Sequence, residues 1–308
     1  MNRKQALELY KDSRKNPAGL YKLADDLRKR YFANKVELCS VINAKSGNCP
    51  EDCAFCAQSA HNEAKVNGYP LLSVDEIVRR AEAASKLKAF GVTIATSGDA
   101  VDEQNEFPQI CEAVKRIRRQ GLINPDASLG RITLDSAKRL KDAGLFRYHH
   151  NLETSRRHFS FICTTHTFDD RLRTIDIVKK TGLWLCCGGI FGMGETPEDR
   201  IDLAFTLKGL DVDSVPLNFL MPVKGTQLED AKPLTQDEAL MTIAIFRVIL
   251  PDKQIKVCGG RELNLKARQY DIFACGATGM MVGGYLTQGG NPPEEDLKML
   301  EKLGLEPA

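Results

Sequence analysis

The chain has 308 residues, 43% of them hydrophobic and 27% charged, enough to bury a large core and far from the composition of disordered proteins. Its 43 basic and 41 acidic residues leave a formal charge of +2, which excludes the basic excess of a nucleic-acid binder or of a protein held to an anionic membrane. No apolar run reaches the roughly 18 residues of a membrane span, and MNRKQALELYKDSRKN lacks the apolar centre of a signal peptide, so a cytoplasmic protein is expected. In that reducing compartment, ten cysteines point to metal or redox chemistry instead of disulfides.

Residues 3–31 read as helices lying outside the main body, within an N-terminal cap of residues 1–33. Eight apolar, β-branched segments follow: Val36–Ile42, Val92–Thr96, Asp126–Leu129, Arg147–Asn151, Leu183–Ile190, Ser214–Asn218, Ile255–Cys258 and Gly279–Gly283. Amphipathic helical patterns separate them, among them VDEIVRRAEAASKLKAF, with acids in its first turn and lysines near its end as the helix dipole favours. The basic stretch from Lys115 to Arg119 has helical spacing and reads as a solvated face. Alternating strands and helices imply right-handed βαβ units, and eight of them imply closure into an α/β barrel of the (β/α)8 TIM type. One domain is expected, with the barrel over residues 34–285 and a helical extension over residues 286–308.

The densest chemical signal is Cys49-Pro50-Glu51-Asp52-Cys53-Ala54-Phe55-Cys56, three thiols in one loop beyond the first strand. Soft thiolates suit iron-sulfur clusters or zinc, and a structural zinc site would need a fourth ligand, for which His61 is at hand. An iron-sulfur cluster held by three protein ligands leaves one iron open for chemistry.

This CxxxCxφC pattern, with Phe55 before the last cysteine, resembles the signature of the radical S-adenosylmethionine (SAM) superfamily. Gly188-Gly189-Ile190-Phe191-Gly192-Met193-Gly194-Glu195 resembles the glycine-rich segment that lines the adenosine pocket in those enzymes. Within the superfamily the resemblance is to the biotin synthase family, from about Leu38 to Leu305, through SGNCPEDCAFCAQS, YHHNLETS, CCGGIFGMGET, DSVPLNFLMPVKGTQL, GGRE and NPPEEDLKMLEKLGL. The resemblance implies a 4Fe-4S cluster on Cys49, Cys53 and Cys56, S-adenosylmethionine as cofactor, and sulfur insertion into dethiobiotin. It also implies an electron donor such as flavodoxin or ferredoxin, and a homodimer is the expected assembly. By the same resemblance Asn151 and Asn218 bind the ureido ring, and Glu153 holds the SAM ribose. Phe55, Ile190 and Gly192 lie against the cofactor, and Asp99 meets its methionine amino group. His166 stands where the family has an arginine near the SAM carboxylate.

One part of the pattern differs. The family's second cluster, 2Fe-2S, is held by three cysteines and an arginine, and here those positions read Thr96, Asp126, Cys186 and Lys256. Thr and Asp are poor ligands for such a cluster. Cysteines occur elsewhere instead, so a different auxiliary cluster, four-iron, is expected on a subset of Cys39, Cys186, Cys187, Cys258 and Cys275. Side chains alternate along a strand, so Cys258 shares a face with Lys256, and Cys186 and Cys187 can both serve only across a bulge or twist. Cys111 and Cys163 read as core packing. Two rivals remain: another radical enzyme on a similar barrel, such as a methylornithine synthase or a hydrogenase maturase, and a zinc-stabilised binding protein.

Overall fold

The computed structural model describes residues 1–308. It opens with α1 (Arg3–Ser13) and α2 (Ala18–Phe32), parted at Pro17. Asn2 begins α1 with a capping box, its side chain accepting from Gln5 N while Gln5 returns the bond. Strands β1 (Lys35–Lys45), β2 (Gly91–Thr96), β3 (Asn124–Ser128) and β4 (Arg147–His149) follow, with α3 (Val74–Lys86), α4 (Phe107–Gln120) and α5 (Leu134–Asp142) between them. The short α6 (Arg156–Phe159) and α7 (Phe168–Thr181) lead to β5 (Trp184–Cys186) and β6 (Gly189–Phe191). After these come α8 (Pro197–Gly209), β7 (Ser214–Phe219), α9 (Gln236–Ile249), β8 (Gln254–Val257), α10 (Arg261–Leu265), β9 (Gly279–Met281), α11 (Pro293–Lys302) and β10 (Glu306–Pro307).

All strand pairs are parallel, in the order β1-β2-β3-β4-β5-β7-β8-β9, and β9 returns to β1 with Glu37 opposite Gly279. The eight-stranded barrel is therefore closed, as the alternation of elements predicts. α1 packs on α8 and α2 on α9, so the N-terminal helices flank the outer layer. β10 pairs with the start of β1, bringing the C-terminal extension back to the barrel wall.

The predicted fifth strand, Leu183–Ile190, is two strands with a break at Cys187-Gly188. A Cβ on Gly188 would lie 1.9 Å from the Pro216 carbonyl oxygen, so only glycine lets the backbones meet. The Gly188 N–H donates to Asn151 Oδ1 at 3.0 Å, a side-chain partner in place of a ladder bond. The predicted helix over DEQNEFPQICEAVKRIRR starts only at Phe107, because Pro108 sits in its first turn and the Asp102 carboxylate caps a preceding turn at Gln104 N and Asn105 N.

Inside the barrel the period of two sorts residues by chemistry. Apolar side chains such as Val36 and Leu38 of β1 join the core under the helices, while Glu37, Asp126, Arg147 and Lys256 meet in the interior.

Candidate active site

The loop after β1 is built from its own backbone. Cys49 N donates to Gln58 O at 3.0 Å and Ala60 N to Cys49 O at 2.8 Å, while Asn62 Nδ2 donates to the carbonyls of Cys53 and Cys56. Cys53 is buried, and Cys49 and Cys56 are half-buried. Burial raises the Cys49 and Cys56 thiols above their ordinary range, so a bound metal must supply the free energy of deprotonation. The ring Nε2 of His61 bonds the Pro50 carbonyl at 2.9 Å, a commitment at odds with a fourth ligand for zinc. With His61 so engaged, the three thiols of the loop fit a cluster with one open iron.

Beside this loop, at the carboxyl ends of the strands, lies a cavity of about 320 Å³ lined by Phe55, Cys56, Asn151, Glu153, Ile190 and Asn218, among others. Asn151 Oδ1 accepts from Gly188 N and from His149 Nε2 at 2.9 Å, and its Nδ2 reaches Glu153 at 3.3 Å. Asn218 Oδ1 accepts from Gly259 N at 2.9 Å and its Nδ2 donates to Gly189 O at 3.2 Å. Each amide keeps one N–H for a ligand. Glu153 sits at φ 67°, an unusual value for a residue with a side chain, and burial raises its carboxyl. Glu195 accepts from Gly192 N and Met193 N and from Arg200, so it folds the glycine-rich turn and leaves Ile190 on the cavity wall. Asp99 is paired through both oxygens with Arg131 and does not line the cavity.

Deeper in the barrel, Cys39, Cys186 and Cys258 lie close enough to Lys256 and to one another to raise or lower each other's protonation. Lys256 Nζ is 3.0 Å from Cys39 Sγ and forms an ion pair with Glu37. Arg147 bridges Glu37 at 2.8 Å and Asp126 at 3.1 Å. Asp126 Oδ1 and Ser214 Oγ are buried without partners. Three thiols beside two buried cations suit a second, negatively charged cluster. The structure brings two of the five sequence candidates elsewhere. Cys187 lies in the apolar core with its sulfur at the Leu152 amide; the break does occur there, but it leaves Cys187 outside the group. Cys275 is buried beside Tyr21, Asp25 and Asp271, next to α2. Thr96, on the second-strand position, is paired in register with Lys45.

Sequence reading did not place Cys163, Arg171 and His149 beside this site. Cys163, assigned to packing, has its sulfur 3.9 Å from Cys53 Sγ and 3.3 Å from His166 Nδ1. The bond between the two thiols lowers Cys163 and raises Cys53. Arg171 donates from Nε to His166 Nε2 at 3.1 Å and from Nη1 to the Asn151 carbonyl at 3.0 Å. His166 also pairs with Glu51. His149 lines the cavity, and burial pushes it down to about 4, so it is neutral. Only the phrase CTTH, close after α6, could have drawn attention to Cys163.

A closed parallel barrel with three thiols in the loop after its first strand, opening on one mouth cavity, defines a radical SAM enzyme. Comparison agrees: residues 44–207 match the model of the radical SAM superfamily, and residues 216–306 that of the biotin and thiamin synthesis associated domain. The chain is 50% identical over 301 residues to biotin synthase of Trichlorobacter lovleyi, covering 98% of this chain and 90% of that one. It is 50% identical over 286 residues to biotin synthase of Geobacter sulfurreducens, covering 93% and 87%. The chain belongs to the biotin synthase family. Among solved structures it superposes on methylornithine synthase with a TM-score of 0.86 at 20% identity, covering 100% of this chain and 94% of that one. A hydrogenase maturase from Carboxydothermus hydrogenoformans gives 0.86 at 16% identity, with 100% and 76% covered. Those two share the fold, and the sequence likeness belongs to biotin synthase.

Proposed function

We propose that the protein inserts sulfur into dethiobiotin to form biotin. The observation that carries this reading is that Phe55 and Cys56 of the cluster loop share one cavity with Asn151, Glu153 and Asn218. Cys49, Cys53 and Cys56 would hold a 4Fe-4S cluster, which when bound supplies the electron that splits S-adenosylmethionine into methionine and a deoxyadenosyl radical. Glu153 accepts from the paired ribose hydroxyls, and Phe55, Ile190 and Gly192 bound the adenosine. Asp99 would reach the methionine amino group only by leaving Arg131, which takes both of its oxygens.

The free N–H groups of Asn151 and Asn218 meet the ureido ring, which both donates and accepts. His149 and the Gly188 and Gly259 amides hold those side chains in one orientation. Hydrogen-atom abstraction needs no general acid or base, and the closed barrel keeps water and stray hydrogen donors from the radical. Cys39, Cys186 and Cys258 would hold the auxiliary cluster, four-iron in this reading, as the sulfur source, with Lys256 and Arg147 balancing its charge. The electron donor is a flavodoxin or ferredoxin, and the assembly a homodimer. The test is anaerobic turnover with reductant, S-adenosylmethionine and dethiobiotin. Biotin with 5'-deoxyadenosine supports the proposal, and 5'-deoxyadenosine without biotin leaves a radical enzyme of another substrate.

A further inference from the structure

Beyond this function, the geometry points to a reversible disulfide between Cys53 and Cys163 that forms when the first cluster is lost to oxidation. It rests only on the assignment of Cys53 to that cluster. The two sulfurs are 3.9 Å apart, although 110 residues separate them in sequence. A disulfide requires about 2.05 Å between sulfurs, so the two must close by roughly 2 Å.

The backbones on either side are already fastened. Ala54 N donates to Ile162 O at 2.8 Å, which ties together the residues next to each cysteine. Asp52 N donates to Thr165 Oγ1 at 3.1 Å, and the Asp52 carboxylate accepts from Thr164 N at 2.9 Å and Thr165 N at 3.2 Å. The loop after β1 and the segment after α6 therefore move as one piece, and Cys163 stays within reach of Cys53 whether or not iron is bound.

The chemistry around Cys163 favours its role as the attacking sulfur. Its Sγ lies 3.5 Å from Thr165 Oγ1 and 3.3 Å from His166 Nδ1. Arg171 Nε points at His166 Nε2, which places the ring proton on Nδ1, the nitrogen that faces Cys163 and Glu51. That tautomer also turns Nδ1 away from metal ligation, so the group Cys53, Cys163 and His166 is better built for sulfur chemistry than for a cation.

The oxidant is a peroxide. The Cys163 sulfur attacks the O–O bond and becomes a sulfenic acid, with one water released; the Cys53 sulfur then attacks it, the S–S bond forms, and the oxygen leaves as a second water. Two thiols lose two electrons and two protons, which the peroxide takes up. The product blocks the cluster site and protects Cys53 from sulfinic and sulfonic acids until a thiol reductant reopens it. Both cysteines are buried, at 8% and 4% exposure, so small oxidants reach them more readily than bulky reagents.

The test uses the holoprotein, treated with hydrogen peroxide until its iron is released, then alkylated, cleaved with trypsin and mapped by tandem mass spectrometry. The expected product joins Cys53, in the peptide spanning residues 46–65, to Cys163, in that spanning residues 158–171, and is absent before treatment. Dithiothreitol should remove it and restore iron uptake. In Cys163→Ser, Cys53 should be over-oxidised and iron uptake after the same treatment several-fold lower. A bond from Cys53 to Cys56 or Cys49, or a Cys53 that remains open to alkylation after iron release, overturns the proposal. The wild-type map decides the question even should the variant fold poorly.

Discussion

Lys256 Nζ stands 3.0 Å from Cys39 Sγ and is also paired with Glu37, so one buried ammonium serves both an acid and a thiol. Lys256 is 2% exposed, and its amine is raised above its ordinary value: burial opposes the charge, but Cys39 and Glu37 outweigh it. Removing one member of a buried ion pair costs about 3 kcal/mol, because the other is left without its partner. Lys256→Met should lose about that much in urea unfolding of the iron-free protein, and Lys256→Arg much less. An unchanged unfolding midpoint for Lys256→Met would show that Arg147 alone satisfies Glu37.

The same network sets a pH dependence. Burial raises Asp126 to about 6, against the lowering effect of Arg147 and Lys256. Its carboxyl gives up a proton at higher pH in the folded protein than in the unfolded one, so folding binds the proton. Its contribution to stability is therefore full below the unfolded value near 4 and is lost as pH rises through about 6. Two pH units correspond to roughly 3 kcal/mol. Asp126→Asn should grow more stable relative to wild type as pH rises from 4 to 6.5, followed by denaturant titration at fixed ionic strength. A difference that stays flat across this window removes Asp126 as the cause.

How much of this was legible follows from the kind of signal each feature leaves. The barrel was, because strand and helix patterns repeat eight times and closure needs no single residue to be placed correctly. The placing of Cys49, Cys53 and Cys56 together in the loop after β1 was, because a contiguous loop carries its own spacing. The break between Cys186 and Gly188 was not, since it depends on Pro216 and Asn151, which are distant in sequence. Cys163 is buried in the core as its packing assignment expects, but its neighbour Cys53 went unread for the same reason, being 110 residues away. Period-two alternation placed Cys258 with Lys256, but it says nothing of Cys275, which lies outside any strand.

Cys258, one of the three interior thiols, and Cys275, which lies outside that group, make a sharp comparison. Cys258→Ala should lose the auxiliary iron and keep the iron of the first cluster, whereas Cys275→Ala, beside Tyr21 and Asp25, should keep both. Iron and acid-labile sulfide per chain, measured after anaerobic purification, distinguish these outcomes. Equal iron in the two variants would make Cys258 a packing residue.

At the mouth, Glu153 offers a charged acceptor in a buried setting, and hydrogen bonds to charged groups contribute about 1.5–3 kcal/mol. Glu153→Gln preserves shape and removes the charge. Binding of S-adenosylmethionine to the iron-loaded variant should weaken by about ten- to a hundredfold, while iron content stays at the wild-type level. Arg171 sits 4.0 Å from the same carboxylate and also holds the Asn151 carbonyl, so the substitution could act on Asn151 indirectly. Dethiobiotin affinity separates the two routes. If it falls as far as that of S-adenosylmethionine, Glu153 works by holding Asn151; if it is retained, Glu153 works on the cofactor itself.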